Sequence, residues 1–220
     1  MSDTDAGGKA DRLTQLLAPP TSALLVQEMQ RGVVGSSSGL PALAEAGADI
    51  DLIDHVAAVV KAARRSGVTV VHCTAENLPG GFGVNRNARV FAAARKAGME
   101  NAPGSESVRP VPEMGPEPGD VILPRYHGLS PLTGSPLDTL LRNQGVTTTV
   151  VVGVSLNVAI PNLVFDAVNR SYQVVVVSDA VVGVPVDYGR QVLANSLSLV
   201  ATLASTDEVV AAWRAGKDLW

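Results

Sequence analysis

Five short, mostly valine-rich runs, each followed by a longer stretch of helical spacing or loop, constrain this chain more than any other feature. Ala23 to Gln27, Val68 to Cys73, Asp120 to Leu123, Thr147 to Val152 and Gln173 to Val177 have strand length. Most are apolar at consecutive rather than alternate positions, the pattern of strands buried on both faces. Strands that alternate with helices build a parallel sheet covered on both sides. The spacing therefore predicts a three-layer α/β/α domain with a central parallel sheet of five to six strands and Rossmann-like topology.

The intervening segments carry helix signals. Ile50 to Ser66 places Ile50, Ile53, Val56, Ala57, Val60 and Ala63 on one stripe and closes at Gly67. Asn87 to Ala97 ends at Gly98. Ser135 to Gln144 has Ser135 at the N-cap, Pro136 at the first helical position, Asp138 two residues on and Gly145 as its stop. Leu163 to Arg170 belongs to a fourth helix. Tyr188 to Ala204 reads as a fifth, with Val192, Leu193, Leu197, Val200 and Leu203 along one side. Arg31 to Ala48 and Pro103 to Gly119 are rich in Gly, Pro and Ser and read as long loops near strand ends, where active-site loops lie. Residues 1–20 read as a flexible N-terminal arm and residues 21–220 as a single domain, since 220 residues suffice for one large core without disulfides or structural metal.

Composition excludes several functions. A net charge of −4 leaves no basic excess for phosphates, so nucleic acid is not an expected partner. The apolar stretches fall short of the roughly 18 residues that cross a bilayer, so no membrane partner is expected. Met1 to Arg12 has no apolar core after a basic start and is not a signal peptide. The lone cysteine, Cys73, gives no support for an oxidising compartment, and a cytoplasmic location is expected. With 46% hydrophobic and 17% charged residues, much surface is expected to be hidden in a homodimer or homotetramer.

Ligands of open parallel sheets bind beyond the carboxyl ends of the strands. Here those ends are Gln27-Glu28-Met29-Gln30, His72-Cys73-Thr74-Ala75-Glu76, Pro124-Arg125-Tyr126-His127 and Gly153-Val154-Ser155-Leu156-Asn157. ALLVQEMQRG resembles the opening strand of the isochorismatase-like cysteine hydrolases, where an aspartate precedes a Met-Gln pair. The stretch from Leu123 to Val181 is similar to that family's central segment, with its Tyr-containing loop, Leu-Asp helix, Gly-Val turn and closing Asp-Ala in order. The resemblance extends from about Ala23 to Leu203 and implies a small-molecule substrate.

It also implies a catalytic triad, and this chain departs from it. The family aspartate maps to Glu28. The family lysine maps to Leu123, and no lysine occurs between Lys96 and Lys217. The nucleophilic cysteine maps to Ala159, whose methyl group cannot attack a carbonyl. The Asp and two His that hold the metal of nicotinamidases have no counterpart near in sequence, so neither metal nor other cofactor is expected. Cys73 reads more readily as a small core residue than as a thiol nucleophile, and Ser155 lacks the second glycine of a nucleophile elbow. Gly80 to Asn87 lacks the spacing of a phosphate loop and reads as a mobile loop.

Glu28 is the expected catalytic residue. It sits at a strand end flanked by Leu24, Leu25, Val26 and Met29, where desolvation suits a carboxyl group to giving up or taking a proton. Family members that make phenazine precursors also lack the cysteine and protonate a vinyl ether from this position, although they keep the lysine. Arg125, Tyr126, His127 and Arg86 are candidates to bind substrate, with the arginines suited to a carboxylate. Asn157 and the amides around Ala159 open a helix where an anion is favoured. Two functions remain open: a hydrolase with Glu28 as general acid or base, acting on a vinyl ether or a C–N bond, and a catalytically silent pseudoenzyme that binds a small ligand or a protein in the old pocket.

Overall fold

A computed structural model describes residues 3–98 and 101–216. The chain runs α1 (Asp3–Leu16), β1 (Ser22–Gln27), α2 (Arg31–Val34), α3 (Pro41–Ala48), α4 (Leu52–Arg65), β2 (Thr69–Ala75), α5 (Arg89–Lys96), β3 (Val121–Arg125), α6 (Leu137–Asn143), β4 (Thr148–Val154), α7 (Ala159–Asn169), β5 (Gln173–Val182), α8 (Val186–Asn195), β6 (Thr202–Ala204) and α9 (Thr206–Gly216). Among the described residues, six strands form one parallel sheet in the order β3–β2–β1–β4–β5–β6.

The five expected strands are present within two residues at their starts, and the first four expected helices correspond to α4, α5, α6 and α7. α4 buries Leu52, Val56, Val59, Val60 and Ala63, the positions its spacing marked or their neighbours. On that face of the sheet lie α1, α3, α4 and α9, while α6, α7 and α8 cover the other. This is the doubly wound, three-layer arrangement. Every residue of β1 and of β4 is buried, so the centre of the sheet has no polar exit except at its ends.

Two expectations are corrected. Tyr188 to Ala204 is not one helix: α8 stops at Asn195, and Leu203 lies in β6 opposite Val176. An edge position on the sheet supplies backbone partners that outweigh a weak helical spacing. The Arg31 to Ala48 stretch contains α2 and α3, the latter started by Pro41 in its first turn. The N-terminal arm is helical from Asp3, and its end is anchored: Leu13 and Leu17 are buried, and Trp213 Nε1 donates to the Leu17 carbonyl at 3.0 Å. Burying an aromatic of that size contributes roughly 2–3 kcal/mol. Residues 1–2 of the arm and 217–220 of the domain lie outside the described residues.

A polar cluster ties the end of α4 to the entry of β3. Arg64 Nη2 donates to Asp120 Oδ2 at 2.6 Å and to the carbonyls of Met114 and Gly115, and its Nε reaches Asp120 Oδ1 at 3.3 Å. Asp120 also accepts from the Glu117 N–H and lies 3.2 Å from Nε2 of buried His72. With Nε2 donating to that carboxylate, Nδ1 is left buried and without a partner among the described residues. Burial lowers the pKa of His72 below 6.5, outweighing the favourable Asp120. For Asp120, burial acts upward, but the hydrogen bonds from Arg64, Glu117 and His72 hold its carboxyl below 3.8.

Both shifts destabilise the fold in acid. A group that takes up protons more readily when unfolded draws the chain toward the unfolded state as pH falls. The His72 contribution is complete above 6.5 and is lost as pH falls toward its lower folded value. The Asp120 contribution is lost only below 3.8. Urea unfolding should therefore show stability declining as pH falls below 6.5. In His72→Gln this decline should flatten while the loss in stronger acid remains. An unchanged profile in the variant would contradict the assignment.

Candidate active site

The strand order reverses direction between β1 and β4, and open α/β sheets bind ligands at such a switch point. The two strands meet unusually closely there. Gln27 pairs with Gly153, and a Cβ on Gly153 would stand 2.1 Å from the Gln27 carbonyl oxygen. Gly153 adopts φ +106°, which side chains disfavour, so glycine is required on both counts.

Glu28 follows β1 immediately. Its backbone is left-handed at φ +52°, with its N–H bonded to the Cys73 carbonyl. Its Oε1 accepts from Gln27 Nε2 at 2.7 Å and from Arg125 Nη2 at 2.6 Å. The Glu28 and Arg125 side chains are only 18% and 10% exposed, so the ion pair is largely shielded from water. Oε2 has no partner among the described residues. Arg125 Nη1 donates to the carbonyls of Gly128 and His127. The guanidinium expected to hold a substrate carboxylate is therefore committed to Glu28 and to its own loop.

The pair reaches over the end of β2, because β1 and β3 are not neighbours. The crossing is braced by Gln30, whose amide bonds both the N–H and the carbonyl of Ala75, and by the Glu76 N–H on the Arg125 carbonyl. Glu76 is itself 9% exposed and accepts from Thr74 Oγ1 at 2.9 Å. The roles of Gln27 and Gln30 were missed from sequence. Their signal was an amide at the end of an apolar run, since both are wholly buried.

On the β4 side, the Val154–Ser155 peptide is cis and Ala159 is the first residue of α7. Pro161 falls in the first turn, the place in a helix that tolerates proline. Asn157 is bonded on both sides to Val184, donating to its carbonyl at 2.5 Å and accepting its N–H at 2.8 Å. It fastens the turn to the β5–α8 connection, with both ends of its amide engaged by Val184. Leu123 is buried in the apolar core opposite Cys73.

Tyr126 is half-buried beside Arg125, and His127 is exposed with its ring against Gly134. Arg86 is exposed, on a loop fastened by its neighbour Asn85, which accepts the Gly128 N–H at 2.7 Å. Glu28 and Arg125 are thus brought together, Tyr126 and His127 follow in the same loop, and the hydrogen bonds of Asn157 go to Val184 instead of Glu28. No group of three or more His, Cys, Asp or Glu suited to a metal ion occurs among the described residues. No described helix is long and apolar enough to cross a membrane.

Cys73 lies beneath this edge, 2% exposed. Burial pushes its thiol up to about 12, with Arg125 a lesser opposing influence. The nucleophilic thiolate is then essentially absent near neutrality.

Comparison with known proteins agrees with this architecture. A family model described as "Isochorismatase domain" matches residues 22–208. Ureidoacrylate amidohydrolase RutB of Methylobacterium radiotolerans is 30% identical over 181 residues, spanning 74% of this chain and 68% of that protein. The protein of that name from Enterobacter sp. is 29% identical over 180 residues, 74% and 76% of the two chains. Among solved structures, a cysteine hydrolase from Pseudomonas syringae pv. phaseolicola aligns with a TM-score of 0.78 at 23% identity, covering 90% of this chain and 94% of that one. N-carbamoylsarcosine amidase from Thermoplasma acidophilum aligns at 0.68 and 23%, covering 85% and 97%.

The state of Cys73 gives a direct expectation. Iodoacetamide at pH 8 should leave the native protein unmodified, by intact-mass measurement, over a time in which the urea-unfolded chain is fully alkylated. Rapid labelling of the native chain would restore Cys73 as a candidate nucleophile.

Proposed function

The chain belongs to the isochorismatase family, and from that premise we propose that it is a small-molecule hydrolase working without a cysteine nucleophile, with Glu28 as the group that moves the proton. The observation that carries this is the Glu28–Arg125 pair at the switch point, shielded from water and with Oε2 unengaged. Arg125 supplies there the cation that the family resemblance assigns to a lysine and that Leu123 cannot provide.

The substrate class follows from the relatives. Two are named ureidoacrylate amidohydrolase and one structural neighbour is an N-carbamoylsarcosine amidase, so the proposed substrate is a carbamoyl or ureido compound with a scissile C–N bond. A water at Glu28 Oε2 gives up a proton as its oxygen attacks the carbonyl carbon. In the first turn of α7 Pro161 has no N–H and the Ile160 N–H is bonded to the Ser155 carbonyl, so the Ala159 N–H is the amide there that faces the oxyanion that forms. Collapse breaks the C–N bond, and the departing nitrogen takes the proton back from Glu28. Direct attack by water replaces the thioester route, for which Ala159 has no sulfur.

The test is Glu28→Gln, which keeps the hydrogen bond to Arg125 in reach but cannot carry the proton. Turnover of ureidoacrylate or an N-carbamoyl amino acid should fall at least ~100-fold, the low end of general acid–base catalysis. Substrate affinity should change little, and iodoacetamide should not inhibit the wild type. If the wild type turns over no carbamoyl compound, small amide or vinyl ether, and binds such ligands as tightly as Glu28→Gln does, the hydrolase is excluded. The protein is then a silent binder.

A further inference from the structure

A cavity of about 240 Å³ lies between the start of α4, the end of β5 and α8, lined by groups the proposed reaction does not use. One water occupies about 10–15 Å³ on the same measure, so the space admits a small organic molecule. We propose that this cavity binds a free aliphatic α-amino acid as its zwitterion.

Its polar end offers acceptors. His55 Nδ1 lies 2.8 Å from the Asp179 carbonyl oxygen. A carbonyl can only accept, so Nδ1 carries the hydrogen, and in that tautomer Nε2 is an acceptor. Asp179 Oδ1 takes the N–H and hydroxyl of Thr206 at the start of α9, at 2.8 and 2.9 Å. Its Oδ2 has no partner among the described residues. Among the described residues no arginine or lysine is paired with this carboxylate, and an ammonium group has the charge and the donors both acceptors lack.

The rim carries the complementary charge. Arg190 is 71% exposed at its side chain and, among the described residues, bonded to Asp187 alone, itself 85% exposed, at 3.2 Å. Such a surface pair is weak and readily exchanged for a ligand carboxylate. Between the two charged ends, Leu156, Val182 and Leu193 give an aliphatic wall with no aromatic side chain. A simple carboxylate would face Asp179 unfavourably. A simple amine would leave Arg190 unused, and a hydrocarbon would strip water from His55 and Asp179 without replacing it. A leucine-like zwitterion satisfies all three surfaces at the volume available.

Isothermal titration of the full chain with L-leucine at pH 7.5 tests this. Leucine should bind once per chain. 4-Methylpentanoate, which lacks the ammonium, and isopentylamine, which lacks the carboxylate, should each bind at least about tenfold more weakly. Arg190→Gln should weaken leucine at least about tenfold, and Leu193→Trp, verified as folded by its melting transition, should abolish binding by filling the cavity. Glu28→Gln should leave leucine affinity unchanged, placing the ligand away from the proposed active site. No heat with leucine, isoleucine or valine overturns the proposal. So does equal affinity for 4-methylpentanoate, or retention of binding in folded Leu193→Trp.

Discussion

The close approach of β1 and β4 is the constraint on which the rest of the molecule depends. Both strands are buried along their whole length, and the Gln27–Gly153 contact admits no side chain between them. A sheet centre of this kind can carry almost nothing polar within it. Chemistry is therefore pushed to the carboxyl edge, where β1 ends in Glu28 and β4 turns into α7. The same contact places the left-handed backbone of Glu28 directly against the end of β2.

Two polar clusters then hold β3 at both of its ends. At the entry, Asp120 is gripped by Arg64 and His72. At the exit, Arg125 reaches over β2 to Glu28. Pairs so shielded contribute modestly as intact units, but removing one partner leaves an uncompensated charge and costs about 3–5 kcal/mol. Glu28 and Arg125 are consequently interdependent. A change at either one alters the geometry of a strand as well as the electrostatics of the site, which is why the conservative amide is the informative substitution at Glu28.

Local signals made much of the fold legible in the sequence. Consecutive valines in β4 and β5 and the stripe of α4 are patterns that burial on two faces and on one face impose directly. Where the reading failed, a distant partner decided the outcome. Val192, Leu193, Leu197, Val200 and Leu203 satisfy helical spacing, yet Leu203 is claimed by Val176 across the sheet. The site divides in the same way. Glu28 was visible as a carboxylate ending an apolar strand. The commitment of Arg125 to it, 97 residues away, and of Asn157 to Val184, 27 residues away, carries no local mark. Both arginine and asparagine looked available to a ligand because their internal partners lie elsewhere in the chain.

The strand order also governs the time course of folding. β1 finds its first neighbour, β2, within about fifty residues, but its second, β4, begins only at Thr148. Parallel pairings at such separation close large loops before they are rewarded, and they slow folding. On a ribosome, β1 through β3 emerge with one full flank of β1 bare, and its unsatisfied N–H and C=O groups are the kind of edge that pairs with other chains. The strand that carries the proposed proton-transfer residue is thus the one most exposed to misassociation during synthesis, and it is protected only when β4 slides in beside it.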